Sequence, residues 1–290
     1  MAFKRMFQPS NRRVRVLVGL LLAALFAVQC TRSEAFKEGS GVVAVEGKIL
    51  GKNPDSAIAA VEQMAKTDHV ALLEHCLSNY RSKYVDYTCS FTKQEVIKGQ
   101  TKEEQVMDVK FMDKPFSVAM HWTQNAPIGD SVIYVEGKYG NQMLVRPTNG
   151  LLRKIAGTIS RAPDDQEAMR NTLRPVNMFG FERSIKSLLD VYRLAKTNGD
   201  LRQEFVGYVK VNDRPALALA RYLPDKPQYA AAASKTLVFI DAEYLVPVRV
   251  EGYDWRNKQT SRYEYSNIKF NMGLTEDDFL PENNGMKSPK

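Results

Sequence analysis

The residue types that most often carry catalysis or bind metals are few in this 290-residue chain and poorly spaced for either task. The three histidines are His69, His75 and His121, and no two of them are four residues apart, as ligands on one helix face would be. A zinc site usually needs three or four suitably spaced ligands. We therefore interpret the histidines as surface or helix-cap residues and expect no metal and no cofactor.

Nucleophilic catalysis needs a cysteine or serine beside a general base. Cys76 has only His75 and His69 near it on its own predicted helix, and both point to other faces. Neither Ser-x-x-Lys nor Gly-x-Ser-x-Gly occurs, and no Gly-rich phosphate loop precedes a helix. No nucleophile is predicted.

The acidic residues give no clearer catalytic set. Adjacent acids in predicted turns are usually only solvated, and the pairs of this kind are Asp164-Asp165, Glu103-Glu104 and Asp277-Asp278. Strand positions such as Glu95, Glu251 and Asp254 would suit a glycosidase-like pair, although nothing in their spacing requires one. The sequence therefore predicts no catalytic residues and a non-enzymatic protein.

The N-terminus has the order of a cleavable export signal. Five basic residues and no acid precede an apolar run over residues 16–28, and Ser33-Glu34-Ala35 offers a signal peptidase small residues. The run is shorter than the roughly 20 apolar residues that cross a bilayer. Residues 1–35 are therefore predicted to be a signal peptide cleaved after Ala35, which leaves a periplasmic or otherwise exported protein. The alternative is a lipoprotein anchored at Cys30, but a glutamine stands where the lipobox prefers a small residue.

The net charge of +8 mostly reflects this signal. Residues 1–35 hold six of the 41 basic residues and one of the 33 acidic residues, so 35 basic and 32 acidic residues remain, a net charge of +3. A basic surface for nucleic acid is not indicated. Nucleic acid is excluded as an expected partner.

Cys76 and Cys89 are the two cysteines that follow the signal, and two cysteines in an exported chain suggest one disulfide. One lies on the inward stripe of a predicted helix, and the other on the inward face of the first predicted strand. The helix advances roughly 10 Å from Cys76 to Lys83, and the strand returns about 10 Å from Asp86 to Cys89. The two thiols are therefore predicted to meet and form a disulfide.

Two periods of apolar residues organise the rest of the chain. A helical period predicts helices that begin near Asn53 and Asp68 and another over residues 181–196. A period of two, from Tyr87 onwards, predicts about ten strands of an antiparallel sheet with one apolar face. No Pro/Ser-rich linker interrupts them. We expect a lead-in with a short helix over residues 36–67, one domain over residues 68–280, and a disordered tail over residues 281–290.

The predicted strands carry more bulky apolar side chains than the predicted helices can cover. One interpretation is an ordinary core, which is what apolar stripes usually form. The functional interpretation is a curled sheet that is incompletely filled and leaves an apolar ligand cavity, for which methionines and aromatic residues make an adaptable lining. The predicted lining residues are Met107, Val109, Phe111, Phe116, Val118, Met120 and Trp122.

Several segments resemble a known family. They are Tyr87–Glu95, Lys114–Trp122, Val135–Lys138, Ile240-Asp241, Pro247–Val250, Tyr263–Leu274 and Phe279. Together they resemble an uncharacterised exported bacterial family, domain of unknown function 1571, which is similar to the periplasmic lipoprotein carriers LolA and LolB. The resemblance covers about His69 to Phe279. It implies an α+β fold, an open antiparallel half-barrel of about ten strands with helices packed in its concave mouth.

Two hypotheses follow from the apolar face and the resemblance together. The first is a binding protein of the cell envelope that shelters a lipid or an acylated protein in the half-barrel. The second is an envelope interaction or sensor module with the same fold and no cargo, whose partner is an envelope membrane protein. Both predict a protein that works outside the cytoplasm.

Overall fold

The alternating segments from Tyr87 onwards form strands of one antiparallel sheet in the computed structural model, which describes residues 43–44 and 56–288. The predicted signal peptide and Cys30 lie outside the described residues. In chain order the strands are β1 (Val43–Ala44), β2 (Asp86–Ile97), β3 (Gln100–Thr101), β4 (Gln105–Met112), β5 (Ser117–Gln124), β6 (Gly129–Val135), β7 (Met143–Pro147), β8 (Ile159–Arg161), β9 (Arg202–Val211), β10 (Arg214–Tyr222), β11 (Lys235–Asp241), β12 (Pro247–Tyr253) and β13 (Gln259–Phe270). The α-helices of the same part of the chain are α1 (Ser56–Thr67), α2 (His69–Lys83), α3 (Gly150–Ala156) and α4 (Phe181–Thr197). None of these helices is both long and apolar enough to cross a membrane.

Two successive meanders build the sheet. The strand order is β1-β9-β10-β11-β12-β13-β2-β4-β5-β6-β7-β8, with β3 paired to β2 off this path, and the neighbouring strands are antiparallel. Pairing of β13 with β2 joins the C-terminal meander to the N-terminal one. The predicted α+β fold with an open antiparallel sheet is confirmed. The described residues contain thirteen strands rather than ten, because β1, β3 and β8 have only two or three residues and are too short to show a period of two.

Helices cover one region of the concave face of the sheet. Asp68 starts α2 by accepting hydrogen bonds from the backbone N–H groups of Val70 and Ala71. α1, α2 and α4 then pack on β10 and β11. The buried cluster they form, here called the packed region, consists of Val61, Ala65, Val70, Leu72, Leu73, Cys76, Ile185, Leu188, Leu189, Tyr192, Leu217, Leu219, Val238, Ile240 and Leu245.

A glycine allows α4 to approach the sheet closely. Gly180 precedes the helix with φ of 101°, a conformation that residues with a side chain rarely adopt. A Cβ atom at this position would lie 2.7 Å from Cζ of Phe111 on β4. The first turn of α4 therefore rests directly on the centre of the sheet, where Phe181 is fully buried among aromatic rings.

The predicted disulfide is contradicted, because Cys76 and Cys89 are free, buried thiols. Cys76 lies in the packed region over β10 and β11, whereas Cys89 lies on β2, which β12 and β13 separate from β11. The prediction compared distances along the helix and the strand but could not include the strand order. Burial raises the pKa of the Cys76 thiol to about 12, so this side chain stays protonated as a small apolar residue.

The C-terminal segment packs on the convex face instead of forming the predicted disordered tail as far as Ser288. Phe279 and Met286 are 1% and 5% exposed and belong to a buried cluster with Ile133 and Leu144. A single apolar residue near the end of a polar stretch gives no periodic signal. The sequence alone therefore did not reveal that Met286 anchors this segment.

Candidate ligand-binding cavity

An irregular connection, rather than a helix, covers the second region of the concave face. Residues 162–179, here called the strap, link β8 to α4 through two short 3-10 turns, Ala168–Asn171 and Val176–Met178. Beneath the strap lies a cavity of about 180 Å³. A cavity of roughly 150 Å³ is known to admit benzene. The space therefore suits a short length of a single alkyl chain, and we call this part of the concave face the cavity region.

A row of side chains across four strands forms the floor of the cavity. Tyr265 of β13 pairs with Phe91 of β2, and Phe91 in turn pairs with Met107 of β4. Met107 then pairs with Trp122 of β5. Because side chains directly opposite each other lie on the same face of the sheet, the row is continuous. The cavity-lining residues are Phe91, Lys93, Glu95, Met107, Met120, Trp122, Pro127, Val132, Met143, Pro163, Asn171, Thr172, Arg174, Pro175, Val176, Met178, Phe179, Ser184, Leu188, Val250, Tyr263 and Tyr265.

The structure divides the seven predicted lining residues into two groups. Met107, Met120 and Trp122 line the cavity. The four others are buried in the core beside it, namely Val109, Phe111, Phe116 and Val118. Phe111 stacks on Tyr87 with ring centroids 4.8 Å apart and meets Phe116 edge-on at 5.3 Å. These aromatic residues are covered because α4 begins directly above Phe111, whereas Met120 and Trp122 lie beyond the helix.

A buried carboxylate at the cavity fastens the strap to the sheet. Glu95 is 3% exposed, and its Oε1 accepts hydrogen bonds from the Tyr263 hydroxyl at 2.7 Å and from the Leu173 backbone N–H at 3.2 Å. Its Oε2 lies 3.3 Å from Nζ of Lys93, which also donates to Oγ1 of Thr172 at 3.0 Å. All the polar contacts of this carboxylate therefore serve to hold residues of the strap, β2 and β13 together.

Arg174 brings a positive charge to the edge of the cavity. Its guanidinium group lies 5.6 Å from the centroid of the Tyr263 ring and has no carboxylate within ion-pair distance among the described residues. Burial, followed by the charge of Glu95, raises the pKa of Tyr263 far above its usual range, so its hydroxyl remains a donor. Lys93 and Glu95 neutralise each other, and Arg174 leaves a net positive charge at this edge.

The acidic residues do not form the glycosidase-like pair that was considered. Glu95 lines the cavity on the concave face, and it is the only acid among the described lining residues. Glu251 follows Val250, which faces the cavity, so it points to the convex face. Within residues 56–288 no group of three His, Cys, Asp or Glu side chains could hold a metal ion. His69, interpreted as a surface or cap residue, is fully buried instead.

Sequence reasoning missed the polar part of the site. No role was predicted for Arg174 or the strap, and Lys93 and Glu95 were named only within the segment Tyr87–Glu95 and, for Glu95, as one acid of a possible pair. Tyr263 and Tyr265 belonged to the segments that carried the family resemblance, but their place on the cavity floor was not foreseen. Alternation of apolar residues was the available signal for the two tyrosines, whereas the strap has no periodicity from which its position could be deduced.

The fold and the site define an open half-barrel protein with an apolar cavity on its concave face. The chain belongs to the family described as "Protein of unknown function (DUF1571)", which matches residues 84–287. This match includes β2 to β13, the strap and all the cavity-lining residues, and it confirms the resemblance noted in the sequence. No curated protein matches the chain in sequence.

Solved structures with a similar fold come from several bacteria. The complex of Pseudomonas aeruginosa MucA/MucB is 13% identical over 76% of this chain and 63% of that chain, with a TM-score of 0.45. A LolA superfamily protein from Nitrosomonas europaea is 9% identical over 73% of this chain and 98% of that chain, with a TM-score of 0.31. The Mycobacterium tuberculosis lipoprotein LppX is 12% identical over 72% of this chain and 99% of that chain, with a TM-score of 0.35. The chain spans less than two thirds of the length of the MucB structures, and these similarities identify no ligand.

Proposed function

We propose that this protein is a non-enzymatic binding protein of the cell envelope that shelters the apolar chain of a lipid or an acylated protein. The observation that carries the proposal is the cavity of about 180 Å³ between the strap and the floor formed by Phe91, Met107 and Trp122. Apolar lining with a few convergent polar groups at one edge is the usual composition of a small-molecule site. A single alkyl chain would replace the empty space with van der Waals contacts.

The charges at the edge of the cavity favour a ligand with one anionic group. An alkyl chain on the floor of the cavity would end near Arg174. Its guanidinium group donates to Oγ of Ser187 at 3.4 Å but has no carboxylate partner among the described residues, so it can pair with a carboxylate or a phosphate of the ligand. Lys93 is already engaged by Glu95 and Thr172. The ligand of this site is therefore an anionic amphiphile, and its headgroup contacts Arg174 while its chain lies against Met107 and Met120.

Export is part of the proposal. The N-terminal pattern supports cleavage after Ala35, with residues 36–67 as a lead-in to the half-barrel domain of residues 68–280. Mass spectrometry of the protein purified from the envelope tests this directly, since we expect Phe36 as the first residue. A diacylglyceryl group on Cys30 would replace cleavage at Ala35 with a lipid anchor.

Filling the cavity tests the binding function. We expect Met120→Trp to weaken the binding of a fluorescent fatty acid by about tenfold or more with little change in melting temperature, because the indole occupies space that is now empty. Met112→Trp is the matched control, since Met112 is also 8% exposed but packs in the convex cluster. Overpacking there should cost about 1–3 kcal/mol of stability and leave fatty-acid affinity unchanged.

The opposite result would contradict the proposal. If Met120→Trp lowers the melting temperature as much as Met112→Trp and fatty-acid binding is unchanged, the concave face is a solid core. If the cavity does bind fatty acid, mass spectrometry of lipids extracted from protein purified from its native envelope identifies the natural ligand. A folded protein that carries no lipid and binds no fatty acid would favour the alternative, an interaction or sensor module without cargo.

A further inference from the structure

α3 exposes its apolar side chains instead of burying them. Leu151 and Ile155 lie one helical turn apart and are 69% and 77% exposed, and Leu152 is 41% exposed. Asn149 caps this helix by accepting hydrogen bonds from the backbone N–H groups of Leu151 and Leu152. Exposed apolar side chains that form a contiguous patch mark a contact surface.

Ile128 extends this surface towards the cavity. Its side chain is 46% exposed, and its carbonyl accepts hydrogen bonds from the backbone N–H and the hydroxyl of Thr148, both at 2.9 Å. Thr148 stands just before α3, and Pro127, which precedes Ile128, lines the cavity. The side chains of Ile128, Leu151, Leu152 and Ile155, here called the rim patch, therefore begin beside the cavity.

Basic groups frame the rim patch. Arg146 and Arg153 both bind Asp130, at 2.6 and 2.7 Å, so two arginines against one aspartate leave one net positive charge. α3 contains no acid, and Lys154 within it has no ion-pair partner among the described residues. The Lys287 side chain passes Gly157 at the end of α3, where an added Cβ would lie 3.4 Å from its Cδ. Apolar side chains framed by lysines and arginines are complementary to an anionic bilayer.

We propose that the rim patch docks this protein on the surface of an anionic lipid bilayer. Leu151 and Ile155 enter the boundary between headgroups and acyl chains, and Lys154 contacts lipid phosphates. The four apolar side chains of the patch are few for a protein interface, which typically buries about 800 Å² on each partner, whereas an interfacial helix needs only the side chains that insert.

Docking has a consequence for the cavity. Because Pro127 and Ile128 are adjacent, contact of the rim patch with a bilayer brings the cavity opening to the lipid headgroups. An acyl chain can then pass between the bilayer and the cavity without crossing bulk water. This role in ligand exchange rests on the proposed function, whereas binding of the patch to a bilayer does not.

Cosedimentation with phosphatidylcholine vesicles, with and without phosphatidylglycerol, tests the docking. We expect the wild-type protein to bind the anionic vesicles, and the Leu151→Ser, Ile155→Ser double variant to bind them about tenfold more weakly or worse, because it loses the inserting side chains. Lys154→Gln should weaken binding about fivefold, and only on vesicles that contain phosphatidylglycerol, since one basic residue near such a surface contributes about 1 kcal/mol.

Val85→Ser is the matched control. Val85 is 62% exposed, but it precedes β2, at the opposite end of this strand from Glu95 and the cavity, so its replacement should leave vesicle binding unchanged. All variants are purified after export from the same cells. They therefore share the same N-terminus, and differences between them report on the rim patch.

The experiments test the docking proposal and the proposed ligand-binding function separately. The docking proposal is overturned if the wild-type protein does not bind anionic vesicles, or if the double variant binds them as tightly as the wild type. It is also overturned if sedimentation velocity shows a dimer held together by the rim patch and the double variant loses this dimer without any change in vesicle binding. Fatty-acid titration without vesicles is a separate measurement. Its failure in the wild type would refute the proposed function and leave the vesicle result to decide docking.

Discussion

The concave face of one sheet is packed in one region and hollow in another. In the packed region, α1, α2 and α4 bring an apolar side chain down onto β10 and β11 at each turn. In the cavity region, the strap brings prolines, polar groups and 3-10 turns, and hydrogen bonds to Glu95 and Lys93 hold it in place. The strands of both regions have the same alternation. The cavity therefore arises from the segment that covers the sheet and not from the sheet itself.

α4 marks the boundary between the two regions. Leu189 lies in the packed region and is 1% exposed, whereas its neighbour Leu188 reaches both that cluster and the cavity. Consecutive helix residues point about 100° apart, so a single helix can close one region and leave the other open. Leu188 and Leu189 therefore allow the packed region and the cavity region to be compared on one helix with the same substitution, leucine to alanine.

The largest expected effect is the loss of stability on replacing Leu189 by Ala. We expect Leu189→Ala to lower the free energy of unfolding by about 3–5 kcal/mol, because it opens a void in a packed cluster. Leu188→Ala should cost less, about 2 kcal/mol, since part of its surroundings is already empty. Urea unfolding of both variants measures the difference, and fatty-acid affinity should change only for Leu188→Ala. Equal losses of stability would mean that the two regions are packed alike.

The same contrast explains how much of the fold the sequence revealed. Alternation is a local property, so the strands and the common face of Met107, Met120 and Trp122 were predicted correctly from their neighbours. Whether a side chain on that face meets a helix or a cavity depends on a distant segment. Phe111 was therefore assigned to the cavity, although Gly180 brings α4 onto it. The predicted disulfide between Cys76 and Cys89 was wrong for the same reason, because the strand order separates the elements that carry the two cysteines.

The polar part of the site was less predictable than its apolar floor. Glu95 lies on a strand and was noticed, but its partners Leu173 and Thr172 belong to a segment without periodicity. Arg174 is one of many surface-type arginines in the sequence, and only its position over Tyr263 distinguishes it. A fold can thus be deduced from local alternation, whereas a site assembled by an irregular segment cannot.

The next effect is a dependence of stability on pH through His69, whose ring centroid lies 5.9 Å from that of Tyr192 in the packed region. Burial lowers the pKa of His69 to about 4, against smaller opposing effects of the Ala65 carbonyl and the Asp68 charge. An unfolded chain has a histidine pKa of about 6.5, so between that value and about 4 it binds more protons than the folded protein does. Stability should therefore fall by about 1–3 kcal/mol as the pH drops through this window, with no further loss from this group below it.

Urea unfolding near neutral pH and near pH 4 measures this loss. His69→Gln keeps a donor for the Ala65 carbonyl, 2.9 Å from Nε2 in the wild type, and should remove much of the dependence. His121→Gln is the control, because His121 is exposed on β5 and should leave the dependence intact. An unchanged pH dependence in His69→Gln would show that the packed region does not exclude the charged imidazole.

The smallest expected effect is a local opening of the strap when Thr172 is replaced. Oγ1 of Thr172 accepts a hydrogen bond from Lys93 at 3.0 Å and donates one to the Arg174 carbonyl at 3.1 Å. Loss of such bonds costs about 0.5–1.5 kcal/mol each. Because the strap contributes little to the packed region, this cost should favour local opening rather than global unfolding. We expect Thr172→Ala to accelerate amide hydrogen exchange in residues 171–179 by about threefold to tenfold and to hasten release of a bound fatty acid, at an unchanged melting temperature.

Thr67→Ala separates this local effect from a general loss of hydrogen bonding. Oγ1 of Thr67 donates to the Gln63 carbonyl at 2.8 Å, at the end of α1 and away from the strap. Its replacement should leave both hydrogen exchange in the strap and fatty-acid release unchanged. If Thr172→Ala instead lowers the melting temperature and leaves strap exchange at the wild-type rate, the strap unfolds only with the whole domain. The cavity region would then be as cooperative as the packed region, and ligand entry would need a route other than opening of the strap.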